Sequence, residues 1–118
     1  MKEKSLVKLM IATMIVDSHR DEREYEAISG TIGLLGVTEE EYDDFMNESK
    51  EINGVDEVMA WSKTAIESLQ ELNDPDICSI AIANMVLVAC ADNVIKDVED
   101  EFIQQTAARL GVSGPIRR

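Results

Sequence analysis

Residues 10–38 read MIATMIVDSHRDEREYEAISGTIGLLGVT, and residues 85–113 read MVLVACADNVIKDVEDEFIQQTAARLGVS. A shift of 75 positions lays one on the other without a gap, with 9 identities in 29 pairs. Met10 meets Met85, Asp17 meets Asp92, Glu24 meets Glu99, and both copies close on Leu-Gly-Val. Each copy joins an apolar helix to a second helix through a short acidic turn. The repeat therefore predicts two helix–turn–helix units, over residues 6–38 and 77–113, related by an approximate two-fold.

Turn signals place the remaining elements. Helices are expected over 6–17, 21–35, 38–50, 55–72, from the NDPD cap at 73–76 to about 92, and over 97–110. Gly36 and Gly111 suit left-handed C-caps, with Val37 and Val112 packing back on the last turn. Thr38 with Glu41 forms a capping box for the third helix. In the fourth, apolar positions 58, 61, 65, 69 and 72 recur at steps of three and four, with Trp61 inward. Asn73 or Asp74 caps the fifth, with Pro75 in its first turn. That helix is apolar on nearly every side, so it is expected to be surrounded and to pack centrally with the first. No alternating pattern of useful length occurs, so the fold class is all-α. We expect one domain over residues 1–118, a bundle of about six or seven helices.

Composition agrees. The chain has 118 residues, 45% of them hydrophobic, with aromatics at only 4%. Aliphatic side chains supply the apolar content, which favours helix-on-helix packing. A net charge of −13 speaks against nucleic acid or an anionic membrane as partner. It fits a cation or a basic protein surface. Cys78 and Cys90 sit about 18 Å apart along one helix, too far for a disulfide, and read as buried reduced thiols. No leader is visible, and the longest apolar run, AIANMVLVACA, is too short to span a bilayer, so a cytoplasmic protein is expected.

The repeated acids raise the functional question. Asp17 and Asp92 stand at helix C-termini, where a carboxylate meets the negative end of the dipole at a cost of about 0.3–1 kcal/mol. Glu24 and Glu99 precede Ile28 and Ile103 by one turn, so both extend the inward stripe. Three explanations compete. Capping works for Asp21 with Glu24, but Lys96 replaces the cap in the second copy. Salt bridges to Arg20, Arg23, Lys96 or Arg109 are the ordinary alternative. The third is a cation among the four carboxylates, whose oxygen-only donors suit Ca²⁺, Mg²⁺ or Mn²⁺.

Other chemistries fit less well. An EF-hand needs glycine at its sixth position and glutamate at its twelfth, where Glu22 or Asp97 and Ile28 or Ile103 stand. A di-iron bundle needs Glu-x-x-His, and the only histidine, His19, lacks that partner. A hydrolytic triad has no histidine to spare with a placed nucleophile. Ser18, in VDSHRDE, resembles an acyl-carrier serine only in its immediate neighbours.

An apolar helix ending in an acid, a glutamate seven residues on, then LLGVT or RLGVS, resembles the TerB-like tellurite-resistance domain. The motifs VDSHRDERE and ADNVIKDVE look like that family's repeated Asp-Gly and Glu signature, with Ser18 and Asn93 in place of the glycine. The likeness runs from about Leu6 to Ser113. It implies a non-enzymatic, acidic helical module linked to stress response, holding a divalent cation through Asp17, Glu24, Asp92 and Glu99. It also implies protein partners, membrane-associated ones included. The rival reading is an acidic adaptor that docks a basic protein partner through Glu39–Asp44 and takes no metal.

Overall fold

A computed structural model describes residues 2–16, 22–52, 54–91 and 97–112. Among these residues the chain forms six α-helices and no strand: α1 (Lys2–Ile15), α2 (Glu22–Ile32), α3 (Glu39–Ser49), α4 (Gly54–Leu72), α5 (Pro75–Ala89) and α6 (Asp97–Leu110). The all-α bundle anticipated from the repeat is therefore the observed fold.

The caps follow the turn chemistry. Thr38 accepts from the Glu41 amide at 3.1 Å while Glu41 accepts from the Thr38 amide at 3.0 Å, the reciprocal capping box. That amide and Lys4 hold the Glu41 carboxyl below the usual carboxylate range. Asp74 takes the N-cap of α5, accepting from the Asp76 amide at 3.0 Å, with Pro75 at the first helical position. Asn73 instead adopts φ +54° and closes α4.

The two glycine caps are the same motif twice. Gly36 and Gly111 have φ +76° and +74°. Val37 donates to the Ile32 carbonyl at 3.1 Å, and Val112 to the Ala107 carbonyl at 2.9 Å. Inside each, Gly36 donates to Gly33 and Gly111 to Ala108, both at 3.3 Å. These are the paired bonds of a Schellman ending, and both recur 75 residues later. In the first copy the regular helix stops at Ile32 rather than Leu35, because Gly30 and Gly33 weaken its last turns.

α1 is the axis. It packs against all five other helices, and Leu6, Val7 and residues 9–16 are buried on every side. It begins at Lys2, four residues before the expected start, since Lys and Glu are good helix formers. α1 pairs with α2 and α5 with α6; α1 also meets α5 and α6, and α2 meets α5. Exchanging the two units maps this set of contacts onto itself, as an approximate two-fold requires.

α5 departs from expectation. It packs on α1, but Ile80 and Leu87 remain 46% and 53% exposed, and Cys90 is exposed while Cys78 is buried. Six helices leave room for one at the axis, and α1 holds that place. Trp61 likewise lies at the rim of the core and Leu72 is half exposed, while Met59, Ser62 and Ile66 turn inward on α4.

Candidate functional site

Three of the buried hydroxyls are satisfied locally. Thr13, Ser49 and Ser62 return their hydroxyls to carbonyls of the preceding turn, at 2.9, 2.8 and 3.2 Å. That arrangement satisfies a hydroxyl inside a helical core. Glu24 and Glu99 are different. Both have 0% exposure, and they are the only buried carboxylates among the described residues.

Each glutamate comes from the first turn of its unit's second helix, α2 or α6. One turn on, Ile28 and Ile103 are also fully buried, and Met10 and Met85 are buried on the helices that α2 and α6 pack against. The inward lean expected of Glu24 and Glu99 is therefore present in both copies. A carboxylate near a helix N-terminus meets the favourable end of the dipole. Asp17 and Asp92 lie outside the described residues, as do Ser18, His19, Arg20, Asp21 and Lys96. Among the described residues no three His, Cys, Asp or Glu side chains form a metal-holding group. The described part of the proposed set thus consists of the two buried glutamates.

Two features escaped the sequence reading. Lys8, the one cation inside the apolar run of α1, sits over Trp61 at 4.9 Å and Phe45 at 5.9 Å. The two rings meet edge-on at 6.4 Å, Lys8 donates to the Thr64 hydroxyl at 3.2 Å, and Trp61 donates to Glu48 at 3.0 Å. Burial lowers the Lys8 pKa, and the charge of Glu48 partly offsets this. The clamp ties α1 to α3 and α4, a structural use of a cation–π contact.

The second is a groove of about 770 Å³ between α4, α5 and the end of α6. Leu69, Cys78, Ala83, Val86, Leu110 and Val112 give it an apolar floor. Burial, with the charge of Asp74 nearby, pushes the Cys78 thiol pKa up. The signal available in sequence was the apolar character of α5, interrupted after its first turn by Ser79 and Asn84.

The acids of the rival adaptor reading are displayed. On α3, Glu39, Glu40, Asp43 and Asp44 are all exposed. Among the described residues no helix is long and apolar enough to cross a membrane. No protein-family model matches this chain, and no curated protein or solved structure shows significant similarity to it.

Proposed function

We propose that this chain is a non-enzymatic binding module of the TerB-like kind, which takes a divalent cation through Asp17, Glu24, Asp92 and Glu99. The observation that carries this is the burial of Glu24 and Glu99, alone among the described carboxylates and at one register of a repeat. Moving a charged carboxylate out of water is unfavourable by several kcal/mol unless another charge or hydrogen bonds compensate it. Both stand in the first turn of a helix, where the dipole already favours a negative charge. A hard cation accounts for acids at both, and oxygen donors select Ca²⁺, Mg²⁺ or Mn²⁺ over zinc.

The test is a thermal-melt series with each of these ions and Zn²⁺. A ligand at 100 times its Kd stabilises by about 2.7 kcal/mol, or about 10 °C for a domain of this size. A Ca²⁺, Mg²⁺ or Mn²⁺ response of that order, abolished in Glu24→Gln/Glu99→Gln, is expected. An unmoved melting temperature overturns the reading. The exposed acids of α3 favour the second reading, an adaptor for a basic partner, for which no ion response is expected.

A further inference from the structure

The two-fold register gives the outer faces of α1 and α5 a direct comparison. Ser5, Lys8 and Ala12 of α1 correspond to Ile80, Ala83 and Leu87 of α5. On α1 this face is largely covered: Ser5 and Ala12 are buried, and the half-buried Lys8 reaches the Thr64 hydroxyl and the Trp61 and Phe45 rings. The covering element is chiefly α4, a long amphipathic helix. On α5 the equivalent face is more apolar, yet Ile80, Ala83 and Leu87 are exposed. Ala83 lies one turn from both its neighbours and also lines the groove, so ridge and groove form one surface.

We infer that this surface docks an amphipathic helix of a partner protein, laid on α5 as α4 lies on α1, with Lys or Arg flanking its apolar stripe. Helix-in-groove recognition uses apolar anchors at this spacing against such a groove. Charge selects the partner. Asp74 lines the groove at its α4–α5 end, and the exposed Glu71 and Asp76 stand beside it in sequence. Arg109 is the one cation adjacent in sequence to a lining residue among those described. A second copy of the chain would bring −13 against −13, whereas a basic helix finds opposite charge. The inference does not depend on a cation at Glu24 and Glu99.

The probe is a 14-residue capped Leu/Lys amphipathic peptide, with a Leu/Glu peptide of the same pattern as control, titrated into the isotope-labelled full chain. Shift changes are expected at Ala83, Val86, Leu87 and Val112, with no response to the Leu/Glu peptide. Ala83→Arg, at an exposed site that keeps the fold, should weaken binding at least tenfold, and Leu87→Ser several-fold. Neutralising Glu39, Glu40, Asp43 and Asp44 together should leave the Kd within threefold. Shifts confined to α3, equal binding of both peptides, or indifference to Ala83→Arg would overturn the proposal. So would self-association through α5 in sedimentation, or displacement of the peptide by dodecanoate at equal concentration, which would mark a site for a second copy or for an apolar small molecule.

Discussion

Replacing Gly36 with alanine isolates a conformational cost, because nothing lies within 4 Å of the Cβ it would add. With φ at +76°, only the backbone resists the side chain. A left-handed residue with a Cβ costs about 1–2 kcal/mol. Alanine also stiffens the unfolded chain, which returns about 0.4–1 kcal/mol. The net loss is about 1 kcal/mol, or roughly 3–5 °C in Tm at this length. Gly111→Ala should lose the same, since its φ is +74°, its Cβ position is equally open, and its Schellman bonds coincide with those of Gly36. Gly30→Ala should do the reverse. It lies inside α2 with open space around the new Cβ, so it should stabilise by about 0.5–1 kcal/mol. Urea unfolding at constant m-value measures all three. Gly36 and Gly30 variants of the same sign, or a twofold disparity between Gly36 and Gly111, would refute both the cap assignment and the equivalence of the units.

Burial pushes the Tyr42 phenol up to about 12, with the Tyr25 ring 6.0 Å away. The unfolded chain loses this proton near pH 10 and the folded chain near 12, so its contribution is intact below about pH 10 and is lost from there to 12. Tyr42→Phe should flatten that part of the alkaline stability curve, and absorbance at 295 nm should place a tyrosinate step near pH 12. Asp74→Ala removes the acceptor for the Asp76 and Ile77 amides, at 3.0 and 3.4 Å, and should lower stability by about 1 kcal/mol in urea, while Asp74→Asn is nearly neutral. On the cation reading, Glu24→Gln and Glu99→Gln should each remove most of the ion-dependent rise in Tm and the double variant only the small remainder, far less than the sum of the two, as expected of two groups that share one ligand.

Elements marked by local chemistry were legible in the sequence. The Thr38–Glu41 box, Pro75 and the Gly-Val endings act within a few residues, and α6 occupies the expected Asp97–Leu110. Burial of Glu24 and Glu99 was legible for a different reason: the repeat gave two independent helical phases that agree. The exposed face of α5 was not legible. A helix apolar all round carries no amphipathic direction, so its sequence cannot say which side neighbours will leave open. The choice between α1 and α5 for the axis depends on what α3 and α4 cover, a tertiary matter. Lys8, Phe45 and Trp61 come from three helices, so no local spacing encodes their clamp. Trp61 sits at the rim because its indole N–H needs an acceptor, and Glu48 supplies it there.

Packing and turn geometry account for several of the identities between the two copies. Met10, Met85, Ile28 and Ile103 match because both units build one core, and the Gly-Val pairs match because both units need the same turn. Packing alone explains those coincidences. It does not explain Glu24 and Glu99, which share the same full burial. At such a position leucine or methionine would gain about 25 cal/mol per Å² of buried apolar surface and avoid the desolvation of a carboxylate. Each acid stands in the first turn of its helix, where the dipole favours a carboxylate, so its placement has an electrostatic side that packing alone does not describe. A buried acid of this kind is better explained by something it binds or orients. Under the cation reading proposed above, one ligand answering to the same register of both units gives the two placements a single cause, and the ion-dependent melts of the Glu24 and Glu99 variants decide whether it does.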